Sequence, residues 1–169
     1  MAWKFMFASA VLAVARTMPR AFVASRGPAV VSGNAMEMEL KPAPINPEWV
    51  LEGNPVARSC AQSASRDGAA HTAIWDCTAG TFRWYFGWDE TVYILDGEVH
   101  VTDADGGTRT LRAGDVVYFR GGTWATWKID TYLRKVAFMR RTLPAPASLL
   151  YRVSDAARRR LGHRKRGGF

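Results

Sequence analysis

From residue 71 to 140 the chain is cut into short runs rich in Thr, Val, Ile, Tyr, Phe and Trp, separated by glycine turns. Such runs at short, regular spacing suit a β-sandwich or barrel and leave little room for helix. The pattern predicts strands near 71–77, 81–86, 91–96, 98–103, 108–112, 116–120, 124–129 and 132–140. Asp96-Gly97 and Asp105-Gly106-Gly107 read as hairpin turns, because glycine accepts a positive φ without steric cost. Glu98-Val99-His100-Val101-Thr102 alternates, which turns the valines inward and His100 outward. Tyr93, Ile94 and Leu95 are apolar on both faces, so that strand is expected to be covered twice, by an inner sheet or a dimer partner.

The ends have a different texture. The net charge of +8 over 169 residues resolves into +4 for 1–36, −2 for 37–151 and +6 for 152–169. The basicity sits in the tails, and a near-neutral middle argues against a specific nucleic-acid interface. Residues 1–42 read as a leader outside the fold. Phe5 to Ala15 is an apolar run too short to span a bilayer, and Ala13-Val14-Ala15 has the form of a signal cleavage site. Arg16 and Arg20, with no acid before residue 37, equally suit an organelle transit peptide, and a plain unstructured extension stays open beside both. The expected address is cytoplasmic, with organelle targeting or export through 1–35 as the alternative. At the other end, Leu149, Leu150, Val153, Ala157 and Leu161 recur at helical steps and predict a short helix over 147–161, within a segment 146–169 that ends in a basic tail. That tail reads as a solvated extension.

The two cysteines, Cys60 and Cys77, form no CxxC pair, and His71, His100 and His163 have no metal-ligand spacing. Apolar content of 48% is enough for one core without disulfide staples.

Two glycine-punctuated stretches carry a family likeness: GTFRWYFGWDETVYILDG, from Gly80 through Glu90 to Gly97, and GDVVYFRGGTWATW, from Gly114 through Gly122 to Trp127. They resemble the two motifs of the cupin superfamily. Gly80, Glu90, Gly97, Gly114 and Gly122 occupy motif places. The two histidine places of the first motif fall on Trp84 and Phe86, or on Arg83 and Tyr85, depending on the gap counted. In the second motif Arg120 replaces the proline and Ala125 the histidine. WDCTAGTFRW, DETVYILDGEV, AGDVVYF and RKVAF are most similar to the branch containing the (S)-ureidoglycine aminohydrolase cupin domain. The resemblance covers 43–145. It implies an all-β fold, a double-stranded β-helix or jelly-roll barrel, with the short C-terminal helix after it. It also implies a homodimer and, in the branch, amide or nitrogen chemistry.

Cupin metal sites usually use three imidazoles and a carboxylate. Glu90 alone is a poor set of donors, so no metal and no other cofactor is expected. A Glu90 that faces the barrel then needs another counter-charge. Arg83, Arg120 and Lys135 are the candidates, with Lys135 first because it lies in RKVAF. The expected catalytic pair is Glu90, as general base, and Lys135, polarising a carbonyl or carboxylate. Arg83, Tyr85, Tyr118, Arg120 and Trp127 are the expected walls of a pocket for a small polar ligand. The alternative is a non-catalytic dimeric binding or assembly module. No membrane span is expected.

Overall fold

The computed structural model describes residues 28–142 and 144–160. In chain order the strands are β1 (Lys41–Pro42), β2 (Val50–Glu52), β3 (Ala57–Ala64), β4 (Ala70–Phe86), β5 (Asp89–Asp103), β6 (Thr108–Arg112), β7 (Val116–Phe119) and β8 (Thr123–Arg140). A 3-10 turn, Pro47–Trp49, precedes β2, and a helix, α1 (Ala145–Arg160), follows β8.

All pairings are antiparallel, and β4, β5 and β8 are each long enough to belong to two sheets. Their outer halves form one sheet in the order β1, β3, β4, β8, β5, β7. Their other halves form a second sheet in the order β2, β4, β8, β5, β6. The result is an all-β double-stranded β-helix.

Six of the expected strands are therefore halves of three continuous ones. The breaks expected at Gly80 and Gly97 are bulges that bend a strand without ending it. Asp96-Gly97 is accordingly no hairpin. Gly97 has φ +81°, and a Cβ there would lie 2.0 Å from the carbonyl oxygen of Tyr132 on the neighbouring strand. Asp103–Gly107 does turn the chain from β5 into β6, with Asp103 Oδ1 accepting from the N–H groups of Asp105 and Gly107.

The bulges also set which side chains face inward. In β4 the inward set is Trp75 and Cys77 before Gly80, and Phe82 and Phe86 after it. In β5 it changes from Glu90, Val92 and Ile94 to Val99 and Val101. Between the sheets these residues meet Trp127, Ile129 and Leu133 of β8, every one of them almost wholly buried. Each large apolar side chain so buried contributes about 1.5–3 kcal/mol. Tyr93, expected to be covered, is 39% exposed on the outer face of β5, while Ile94 is fully buried. Leu95 lies at the bulge and does not extend a second apolar face.

Residues 34–38, within the stretch 1–42 expected to lie outside the fold, are tied to the barrel. The Asn34 carbonyl and side chain accept from the N–H groups of Met36, Glu37 and Met38, which forms a tight turn. Arg134 clips that turn to the barrel: its Nε donates to the Ala35 carbonyl at 3.0 Å and its Nη2 to that of Met38 at 3.1 Å. Arg134 is buried, and its counter-charge is Asp76, 3.7 Å away and 1% exposed. Asp76 also accepts from both Nε and Nη2 of Arg58 and from the Tyr132 hydroxyl. Burial in this cluster pushes the Tyr132 phenol above its ordinary pKa, with Asp76 adding to the rise. Losing the two hydrogen bonds from a charged donor in Arg134→Met should cost about 2–4 kcal/mol and free the arm. Limited proteolysis would read this as new cleavage between residues 31 and 44, absent from the parent protein.

The leader signals in residues 1–27 and the basic tail from 161 onward, including Leu161, lie outside the described residues. Within α1, Leu149, Leu150 and Val153 are each about 60% exposed or more, so their stripe is uncovered among the described residues. No described helix is long and apolar enough to cross a membrane.

Candidate functional site

At the end of the barrel where β3, β4 and β8 meet β5, a cavity of about 460 Å³ opens to solvent. β4 contributes His71, Ala73, Trp75 and Trp84, and β8 contributes Lys135, Ala137 and Met139. β3 adds Ser59, Cys60 and Ala61, β5 adds Glu90, and Ala43 and Pro44 close one side. Ala43 and Pro44 continue the arm held by Arg134, and Ile45 next to them is anchored in the core.

Two charges sit in this chamber, whose walls are mostly apolar apart from Ser59 and His71. Lys135 Nζ donates to Glu90 Oε1 at 2.7 Å, with the lysine 4% and the glutamate 7% exposed. The ammonium also lies 4.6 Å from the ring centre of Trp127 and 5.1 Å from that of Trp75, where the negative ring faces attract a cation. Strand register explains the meeting. Lys135 pairs with Ile94 and Glu90 with Met139 on adjacent strands, and both side chains have the inward parity.

The other expected pocket residues lie elsewhere. Arg83 and Tyr85 have the outward parity of β4. The Arg83 guanidinium stacks 4.6 Å over Trp124, and Tyr85 is 41% exposed beside the same ring. Tyr118 and Arg120 line a separate, smaller cavity of about 360 Å³ with Phe119, Trp124 and Arg109. The Tyr118 phenol is raised above its ordinary pKa by its hydrogen bond to Asp89. Trp127 is core, 1% exposed, and its Nε1–H finds no acceptor among the described residues.

The inward parity also decides which residues take the histidine places of the first motif: Trp84 and Phe86. Phe86 stacks on Phe119 at 4.2 Å with the rings 5° apart, and Trp127 packs against both. At the second motif's histidine place Ala125 is buried. The three histidine places thus hold Trp84, Phe86 and Ala125, none of which can ligate, and the residues present do not fit a metal. Among the described residues no three His, Cys, Asp or Glu side chains converge on one point.

Sequence reading did not find β3, and with it missed Ser59 and Cys60. The run ARSCAQSA is small and polar and lacks the β-branched and aromatic signature. Its boundary was nevertheless marked by Asp67-Gly68, in the tight turn between β3 and β4. Cys77, inward on β4 and fully buried, has its thiol pushed up to about 12, chiefly by burial. The stabilisation from keeping it neutral is complete below its ordinary value near 9.0 and is lost as pH rises toward about 12. A thiol reagent at pH 8 should therefore label only Cys60 in the native protein, and both cysteines after denaturation.

A double-stranded β-helix with a solvent-open chamber inside one end defines a protein of the cupin fold. Residues 64–137, less than half of the chain, match the family described as the EutQ-like cupin domain. A DUF861-family protein from Pseudomonas syringae shares the fold at 22% identity and a TM-score of 0.57, over 61% of this chain and 45% of that one. This chain therefore spans less than half the length of that protein. An ethanolamine utilization protein from Salmonella typhimurium aligns at 22% identity over 52% of this chain and 72% of that one, with a TM-score of 0.47. A EutQ protein from Clostridium difficile aligns at 17% identity over 52% and 69%, also with a TM-score of 0.47. No curated protein matches the sequence.

Proposed function

We propose that the chamber binds a small polar metabolite and that Glu90 and Lys135 are its working pair. The observation that carries this reading is a buried ion pair exposed only to a cavity of metabolite size. A carboxylate and an ammonium on one wall offer a ligand an acceptor and donors at once, while Trp75, Trp84 and Met139 cover its apolar parts. As catalytic groups, Glu90 serves as general base and Lys135 polarises a carbonyl or carboxylate. The likeness to the ureidoglycine aminohydrolase branch makes amides and ureides the first compounds to try. A thermal-shift panel of such compounds should contain members that raise the melting midpoint, and Glu90→Gln should abolish the rise. A panel with no effect, or a rise that survives the substitution, removes the reading.

A second reading, a dimeric binding or assembly module without catalysis, is favoured by the outer face of β7, β5 and β8. Val116, Tyr118, Tyr93 and Phe138 are all exposed there. Val116 pairs with Tyr93, and Thr91 stands between Tyr118 and Phe138, so the four form one apolar strip. Light scattering should then give a dimer for the parent protein and a monomer for Val116→Glu/Phe138→Glu. A monomeric parent protein removes this reading.

A further inference from the structure

We propose that Lys135 captures a small aldehyde or ketone as an imine, with Glu90 moving the protons. The inference rests on the chamber being a ligand site and deepens that reading by naming the substrate class.

Among the described residues two carboxylates, Asp76 and Glu90, are buried beside cations, and their settings are built differently. Asp76 is held by two arginines, Arg58 and Arg134, and a tyrosine hydroxyl. Arginine suits that task because its planar, permanently charged fork gives several fixed hydrogen bonds. Glu90 is held by a lysine, in a chain with 18 arginines and only five lysines. A lysine in such a place supplies what an arginine cannot, an amine that can give up its proton and attack carbon. The two clusters also differ in access. The Asp76 cluster lies under the N-terminal arm, whereas Lys135 and Glu90 line the open chamber.

The chemistry balances within the pair. Glu90 takes a proton from the Lys135 ammonium, 2.7 Å away, leaving a neutral amine and a neutral carboxyl. The amine nitrogen adds to the carbonyl carbon as the carbonyl π bond breaks, and one proton of that nitrogen passes to the oxygen, which becomes the hydroxyl of a neutral carbinolamine. Glu90 returns its proton to that hydroxyl, the C–O bond breaks, and water leaves. The product is a protonated imine beside a carboxylate. Reactants and products carry the same charges in the same places: one cation on the Lys135 nitrogen and one anion on Glu90. The faces of Trp75 and Trp127 that attract the ammonium therefore attract the iminium as well. No metal, oxidant or reductant is required. The apolar walls, Trp84, Ala137 and Met139 among them, suit the hydrocarbon part of a short-chain carbonyl compound.

The test uses the full chain with butanal and sodium cyanoborohydride, which reduces an imine to a stable secondary amine, followed by peptide mapping. Lys41 and Lys128, both exposed, are internal controls. The expected result is a butyl adduct on Lys135 formed at least about tenfold faster than on either control, and slowed by about a hundredfold in Glu90→Gln. Lys135→Arg keeps a cation beside Glu90 and should give no adduct there. If Glu90→Gln does not fold, Glu90→Asp, with the carboxylate drawn back, supplies the same comparison. Labelling of Lys41 and Lys128 ahead of Lys135, or a Glu90 variant that reacts at the parent rate, overturns the proposal. Panel compounds that raise the midpoint without any Lys135 adduct would sink the imine and leave the chamber's binding role standing. Neither a thermal shift nor an adduct would sink both.

Discussion

Lys135→Met should destabilise the protein by about 3–5 kcal/mol, because it leaves the Glu90 carboxylate buried with no counter-charge. The side chain lost is apolar along most of its length, so methionine fills its volume and the electrostatic loss dominates. Glu90→Gln should do comparable damage from the other side, stranding an ammonium between two tryptophans. The double variant Glu90→Gln/Lys135→Met should lose less than the two single losses added together, since neither charge is then orphaned. Urea midpoints of the four proteins at pH 7 form the double-mutant cycle that measures this. A loss below about 1 kcal/mol in each single variant would mean that water enters the chamber freely and solvates the remaining charge.

Gly97→Ala should be at least as damaging, and for a reason unrelated to charge. With φ at +81°, alanine adopts the local backbone poorly, and its Cβ would stand 2.0 Å from the Tyr132 carbonyl oxygen and 2.8 Å from its carbonyl carbon. Those atoms are main chain in β8 and cannot rotate away. The substitution must push β5 and β8 apart where both pass between the sheets, at a cost of about 3 kcal/mol or more. Gly114→Ala is the informative control. Gly114 has φ +97°, but nothing lies within 4 Å of an added Cβ. Backbone strain alone should then cost about 1 kcal/mol. Thermal melts of the two variants side by side separate the steric part from the conformational part. Equal losses would show that the approach of β8 is soft.

These two positions also show what was and was not legible in the sequence. Gly80, Glu90, Gly97, Gly114 and Gly122 could be placed in a spacing pattern, and that pattern carried the fold class. The role of each glycine was harder to see. Asp96-Gly97 and Asp67-Gly68 are the same dipeptide, yet one lies in a bulge within β5 and the other in the turn between β3 and β4. The difference is set by what the next strand does, which no local window contains. The same bulges explain the misplaced pocket residues. One extra residue in a strand turns every later side chain to the opposite face. Arg83 and Tyr85 thus point to solvent while Trp84 reaches the chamber. Lys135, four residues along from Glu90's cross-strand partner Met139, could be ranked first of three cations only through the likeness of RKVAF, because the sequence does not say which strands are neighbours. The docking of residues 31–42 was hidden for a similar reason. Its anchors are backbone carbonyls, those of Val31, Ala35 and Met38, which leave no trace in side-chain composition.

Three strands that each cross both sheets leave the barrel without an independent half. Peeling one sheet open would require β4, β5 and β8 to part from one another along their whole length, through the bulges and into the second sheet. Opening should accordingly occur as one event, with the slowest-exchanging amides spread over both halves of these strands and sharing one free energy of exposure. A ligand seated in the chamber at one end would then protect amides at the far end, around Val101 and Trp127, by the same factor as those lining its own walls.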